Sequence, residues 1–499
     1  MKIKYLLSTI LFFLATVSFA QSPTENTEKY FNSIQTNHHK LAEFLQALPK
    51  GGDLHNHESG ASYAENLIKY AYSDNLCIDT ATLVVSKNKG CSTEELLNNA
   101  VKDVVLYDKI IDAWSMRHFT HGKESGHDHF FSTFSKFSLI TKRHSGEMLA
   151  EIVARAGAEN TAYLELMVTA DKNKSGLLGK KLGWNSDFNK MREKLLAADF
   201  DIIIKSISTS LEQDEVKMRS ILACDANQTN PGCNVKVRYL YQVLREQPPE
   251  MVFAQLLAGF EAASKGQHVV GINMVQPEDG KISMHDYKLH MQMVSYLHEL
   301  YPNVYISLHA GELNDALVPE SGLKFHIHDA VEIAKANRIG HGVDIAYEDN
   351  ADAILQKMSA EHIMVEINLS SNEQILNVSG KEHPLPLYMQ HDVPVSLSTD
   401  DEAISRSNLS KEYQYAVNTF HFNYTTLKTF SRNSAAYSFL PGKSLWKDYA
   451  YQQVTLECAH DILGSENISS SCKAFLDANE KAKLQWNLET RFASFESKY

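Results

Sequence analysis

No Cys-x-x-Cys occurs in the chain, which excludes zinc ribbons and thioredoxin-type redox motifs. No run of basic residues occurs either, and the formal net charge is −13. Phosphate recognition needs clustered Lys and Arg, so nucleic acid is not an expected partner. Beyond residue 20 no stretch is long and apolar enough to span a bilayer, so no membrane partner is expected after removal of a leader. There is no internal repeat and no low-complexity tract, which excludes repeat arrays and extended disorder. What remains is a chain with 43% hydrophobic and 22% charged residues, ordinary for a globular protein. At 499 residues it exceeds the usual single core, although α/β barrels with insertions reach this length.

The first twenty residues, MKIKYLLSTILFFLATVSFA, differ from the rest. Lys2 and Lys4, an apolar stretch and Ser18-Phe19-Ala20 follow the plan of a signal peptide. The apolar stretch is short for a membrane anchor, the other reading. The expected mature chain, residues 21–499, is read as one domain and as exported, to the periplasm or beyond. Export bears on the six cysteines, which fall into three local pairs. Disulfides 77–91, 224–233 and 458–472 are expected; six cysteines allow 15 connectivities, and free buried thiols are the alternative.

Apolar positions at roughly helical spacing predict a helix over 26–48, ended by Pro49, Gly51 and Gly52. A short strand then leads into His55. Seven further runs rich in β-branched and aromatic residues follow, at 161–168, 235–243, 268–275, 303–312, 337–345, 363–371 and 393–401. DIIIKSISTS (201–210) is a rival for the third strand, but 235–243 is preferred because it leads straight into a helix and on to the next strand. Helix-like stretches such as 251–264 and 284–300 lie between most of these runs. Strands alternating with helices argue for parallel βαβ units, and eight of them for an α/β (β/α)8 barrel of TIM type. The long gaps after the first and second strands read as helical insertions over the barrel mouth, and the tail from about residue 410 as a helical extension.

Polar residues collect at the ends of these runs: His55 and His57, His309 and Glu312, His341, Asp400 and Asp401. Strand C-termini of such a barrel open on one face, where active sites sit. His55 and His57, two apart on a strand, point the same way. With His309 and Asp400 they make an N3O set suited to one zinc ion, with room for water. Singly, each piece has a plainer reading: a surface histidine pair, a solvated Asp-Asp turn, a glycine-flanked histidine in a turn. His118, His121, His127 and His129 form a denser group that could line the site, sit on a helix surface or hold a second metal.

The segments LHNHESGA, VVGIN, SLHAGE, RIGHG, VEINLSSN and HPLPLYMQHDVPVSLSTDDEAI occur in the order and spacing of the adenosine deaminase family. The resemblance covers roughly residues 45–420 and is most specific in HAGE, GHG and STDD together. The leader, the insertions, LPKGGDLHNH, GHDHFFSTF and YQVLREQPPEMVFAQLL look most like its secreted, growth-factor-related branch. The resemblance implies that His55, His57, His309 and Asp400 hold one zinc ion per chain. It implies that Glu312 protonates purine N1, and that His341 orients and deprotonates the attacking water. Asp401 then holds purine N7, the Gly271 backbone contacts N3, and Phe130 and Phe134 match lid residues over the substrate. The His/Cys/Cys site and P-C-x-x-C signature of the zinc cytidine deaminases are absent.

Three departures bear on substrate choice. Glu58-Ser59 stand where the family has Leu-Asp, the aspartate that reaches the ribose 5′-hydroxyl, so Ser59 is the candidate ribose contact. The second strand carries Tyr163-Leu164-Glu165-Leu166-Met167 in place of Y-x-E-x-R, and the fourth Gly271-Ile272-Asn273-Met274 in place of GIDL. The first expectation is hydrolytic deamination of adenosine, and of deoxyadenosine, to inosine and ammonia, with a purine nucleoside as the small-molecule partner. The alternatives are another amino-purine (adenine, AMP or an N6-modified adenosine) and an extracellular binding protein without turnover. The oligomeric state is left open, with a homodimer among the options.

Overall fold

Eight strands run in the same direction around a common axis: β1 (Lys50–His57), β2 (Thr161–Val168), β3 (Lys236–Leu244), β4 (Val269–Val275), β5 (Tyr305–Ala310), β6 (Arg338–His341), β7 (Met364–Ile367) and β8 (Val395–Leu397). The computed structural model of the chain describes residues 22–226, 229–266 and 268–499, so the expected leader, residues 1–20, lies outside the described residues. The strands pair in chain order, each parallel to the next. The sheet closes where His57 N–H donates to Asp400 O (3.0 Å) and Asp400 N–H donates to His55 O (2.8 Å). Closure removes the sheet edge and points every strand C-terminus at one mouth.

All eight expected strands are present, and helices link them, giving the TIM-type (β/α)8 barrel. The last three strands are shorter than their apolar runs. β6 ends at His341, whose left-handed φ of 67° no strand can continue; β8 ends at Leu397, and Asp400 beyond it also takes a left-handed φ of 59°. The end of the seventh run winds instead into the helix Leu369–Leu376.

Two expectations need correction. The 26–48 segment is two helices, Pro23–Ile34 and His38–Ala47, because Asn37 is extended and its side chain caps the second by accepting from Lys40 N–H. Gly51 and Gly52 do not end it; they lie inside β1, where their N–H groups donate to Ser431 Oγ (2.9 Å) and Ser434 Oγ (2.8 Å) of the helix Tyr424–Ala436. The preference for 235–243 as the third strand holds: DIIIKSISTS lies in the helix Phe200–Ile221, which buries Phe200, Ile204, Ile207 and Leu211 at helical spacing.

The insertion after β1 carries the helices Val104–Ala113, Gly126–Thr141 and Ser145–Ala158. It also carries a small antiparallel hairpin, Cys77–Ile78 with Val85–Ser86, which the apolar patterning is too short to signal. The insertion after β2 holds the helices Lys174–Leu182, Phe188–Leu196 and Phe200–Ile221. Disulfides join Cys77 to Cys91, Cys224 to Cys233 and Cys458 to Cys472, the expected pairs. No helix among the described residues is long and apolar enough to cross a membrane.

Candidate active site

The seam that closes the barrel also builds the site. β1 brings His55 and His57 to the mouth, while Asn56 turns away to donate to Asp53, Thr399 and Glu402. Asp400, mated to β1 through the backbone, aims its carboxylate at both rings. His55 Nε2 and His57 Nε2 lie 3.1 and 3.3 Å from His309 Nε2. They lie 3.6 and 3.2 Å from Asp400 Oδ1. Four ligand atoms on a tetrahedral ion with bonds of about 2.0–2.1 Å stand about 3.3 Å apart, so these spacings fit one such ion.

The protons of the three rings agree. His55 Nδ1–H donates to Glu366 Oε2 (2.6 Å), His57 Nδ1–H to Gln242 Oε1 (2.9 Å) and His309 Nδ1–H to Asn273 Oδ1 (2.7 Å). When neutral, each ring therefore turns a bare Nε2 to the centre, the form that binds a metal. Ser371 Oγ–H donates to the other Asp400 oxygen (2.6 Å), leaving Oδ1 for the centre. Three imidazoles and one carboxylate suit zinc or a similar divalent transition ion.

Behind His55 runs a buried ionic chain that the sequence reading did not single out. Glu366 Oε1 accepts from Arg338 Nε (2.5 Å) and Ser307 Oγ (2.9 Å), and Arg338 Nη2 donates to Glu165 Oε2 (2.6 Å). The side chains of Glu165, Arg338 and Glu366 are fully buried. Arg338 also lies 3.7 Å over the Phe439 ring. The usable signal was a charge inside each of three apolar strand runs. Gly340 belongs here too: a Cβ at that position would sit 2.5 Å from His55 Cε1.

Glu312, His341 and Asp401 stand around the same centre. Glu278 accepts from the N–H groups of Gly311 (3.0 Å) and Glu312 (2.9 Å), which sets the turn that presents Glu312. His341 Nε2 lies 3.7 Å from Glu312 Oε1 and 3.9 Å from Asp400 Oδ2. Burial, with Asp400 beside it, pushes the Glu312 carboxyl well above the usual carboxylate range, so it keeps its proton. Burial lowers His341 to about 3 and keeps that ring neutral. Asp401 Oδ1 is buried without a hydrogen-bond partner and passes so close to Gly60 that a Cβ there would overlap it.

A cavity of about 810 Å³ opens above these groups. His57, His309, Glu312, Asp400 and Asp401 form its floor. Phe130, Phe134 and two further phenylalanines of the helix Gly126–Thr141 also line it. Ser59 also lines it. So does Glu58, which burial, then the nearby Asp214, pushes up to about 8. Gly271 does not reach the cavity. It lies early in β4, its Cα hydrogens facing Tyr305 O, Phe439 and Leu240, and the same strand meets the cavity only at Val275 and Gln276. The resemblance had matched the run's glycine, whereas strand length places the mouth four residues later. His118, His127 and His129 face separate carboxylates, Asp112, Asp279 and Glu124, and form no joint metal group among the described residues.

The adenosine deaminase family model matches residues 200–447. An adenosine deaminase of Clostridium kluyveri is 21% identical over 430 residues, covering 85% of this chain and 99% of the relative. One from Mycobacterium marinum is 29% identical over 218 residues, 42% of this chain and 55% of the relative. Among solved structures, an N6-mAMP deaminase of arabidopsis superposes with a TM-score of 0.52 at 19% identity, covering 80% of this chain and 96% of that one. An adenine deaminase of Arthrobacter aurescens gives 0.50 at 16% identity, covering 79% and 94%. These two likenesses speak for the barrel alone; the family match covers just under half of the chain, and with a relative aligned over most of it the chain is similar to the adenosine deaminase family.

Proposed function

We propose that this protein is an exported zinc-dependent deaminase that converts adenosine and deoxyadenosine, with water, to inosine or deoxyinosine and ammonia. The observation that carries the reading is the convergence of three bare Nε2 atoms and Asp400 on one point, with Glu312, His341 and Asp401 around it on the floor of a cavity. Zinc held by His55, His57, His309 and Asp400 supplies a Lewis acid that lowers the pKa of water to about 7. Water must add at C6 of the purine, a poor electrophile until the ring can accept charge. Glu312, protonated because it is buried, donates its proton to N1 and relieves that charge. His341 orients the attacking oxygen, and Asp401, whose carboxyl burial keeps protonated, donates from its otherwise unpartnered Oδ1 to the substrate at N7. The phenylalanines above exclude bulk water, which strengthens each of these interactions.

The outer cavity wall supports a nucleoside over a nucleotide. Glu58 and Asp214 stand together there, and a 5′-phosphate would meet two carboxyl groups. Lys142 and Lys172 on the same wall favour the second reading, a deaminase of AMP or N6-modified AMP. Lys172, however, already donates to Lys142 O (3.1 Å). Export is supported by three disulfides among six cysteines and by the leader-like first twenty residues.

Zinc-loaded protein offered adenosine, deoxyadenosine, adenine, AMP and N6-methyl-AMP in parallel tests the proposal through absorbance loss and ammonia release. Turnover of adenosine and deoxyadenosine first is the expected result. No action on either nucleoside defeats the reading, and a preference for AMP transfers it to the second.

A further inference from the structure

His383, buried between β7 and β8, is no ligand and has no part in the steps above, yet an unbroken hydrogen-bond chain joins it to His341. Leu385 N lies 3.1 Å from His383 Nδ1, and a backbone N–H can only donate, so Nδ1 carries a lone pair. Burial lowers this imidazole to about 4 and keeps it neutral. A neutral ring with a bare Nδ1 holds its proton on Nε2, which donates to Asn372 Oδ1 (3.0 Å). The Asn372 amide is then fixed. Its Nδ2 faces His341 Nδ1 at 2.8 Å and donates to it. The reversed amide would force a proton onto His383 Nδ1, against Leu385 N–H.

Since His341 accepts at Nδ1, its own proton sits on Nε2, which faces Glu312 and Asp400. Asn368 accommodates this without deciding it. Its amide lies 3.4 Å from His341 Nε2, and its Oδ1 is buried without a partner. Exchanging the two amide atoms, equal in shape, gives the Nε2–H an acceptor.

We propose that Asn372 and His383 are positioning residues that keep the single proton of His341 on Nε2, so that the resting ring meets the reacting centre as a hydrogen-bond donor. This revises the expectation that His341 takes a proton from water at that nitrogen, because the nitrogen is already protonated. Only the effect on turnover rests on the deaminase reading; the position of the proton does not.

The test uses zinc-loaded protein labelled with ¹⁵N-histidine, with the His341 signals identified by their loss in His341→Gln. The expected spectrum shows a protonated Nε2 and a bare Nδ1. Asn372→Asp puts an acceptor against Nδ1 and should move the proton there. A histidine held in the wrong tautomer costs up to about 10⁴ in kcat, so kcat should fall about a hundredfold or more, with KM and zinc content little changed. His383→Gln keeps a donor towards Asn372 and should retain both tautomer and kcat, whereas His383→Leu should lose them. If Asn372→Asp does not fold, the His383 pair decides. A wild-type spectrum with the proton on Nδ1, or an Asn372→Asp protein with unchanged tautomer or unchanged kcat, overturns the proposal. The expected tautomer without purine turnover leaves this assignment standing and defeats the deaminase reading instead.

Discussion

Glu366→Gln separates the role of the buried ionic chain from that of the ligands. Glu366 does two things at once: Oε2 accepts from His55 Nδ1–H (2.6 Å), and Oε1 accepts from Arg338 Nε (2.5 Å). Glutamine has one oxygen. If that oxygen serves Arg338, the amide NH₂ faces His55 Nδ1, which must accept, and the ring proton moves to Nε2, where the metal must bind. If it serves His55, the NH₂ faces a guanidinium. Losing an outer partner of a ligating histidine costs about 10–100-fold in metal affinity, or about 1.4–2.7 kcal/mol. Breaking a fully buried ion pair costs about 3–5 kcal/mol of stability. Arg338 keeps Glu165, so the lower end applies, about 3 kcal/mol. Zinc affinity by competition with a chromophoric chelator reads the first effect, and denaturant unfolding of the metal-free protein reads the second. An affinity within about twofold of wild type, together with unchanged unfolding, would refute the claim that this chain orients His55.

Glu312→Gln should lower kcat by about 10²–10⁴ while bound zinc, measured by metal analysis, stays at one per chain, since Glu312 is not a ligand. Glu58→Gln should shift the pH dependence of stability. The folded value of Glu58 is raised from 4.5 to about 8, so below pH 4.5 it is protonated in both states, between 4.5 and 8 only the unfolded chain ionises, and wild-type stability falls across that window. Glutamine removes this loss, so the variant should gain over wild type from pH 4.5 to 8 by up to a few kcal/mol (about 1.4 per pH unit), read from thermal midpoints; a constant difference contradicts the shift. Replacing Cys458 and Cys472 by serine opens a loop with sequence separation 14 and should cost about 3 kcal/mol in denaturant unfolding.

The fold was legible because a parallel barrel repeats one pattern, apolar run then helix, and the runs recur at all eight strands. The ligands were legible because they stand at the ends of those runs. Gly271 misled because a motif match fixes the order of residues and not how far along the strand the mouth lies. The hairpin at Cys77 was hidden by its length, two residues a side. DIIIKSISTS offers enough β-branched residues for a strand, and only its burial at every third or fourth position settles it as helix.

The supporting groups divide into two kinds. Strands of a closed parallel sheet are covered on both faces, so a charge inside such a run must be neutralised by another buried charge or by a bound ion. By that rule YLEL, NRIG and VEIN each announce a partner, and their charges, Glu165, Arg338 and Glu366, are one chain ending on a ligand. Asn372 and His383 obey no such rule. Neither carries a fixed charge, neither sits in a strand, and eleven positions separate them. What links them is the direction of a single backbone N–H at Leu385, which depends on where the loop before β8 turns. Hydrogen-bond direction is set by tertiary geometry, and residue type and spacing carry no trace of it. The proton on His341 is therefore the kind of property that can be read only after the fold is known.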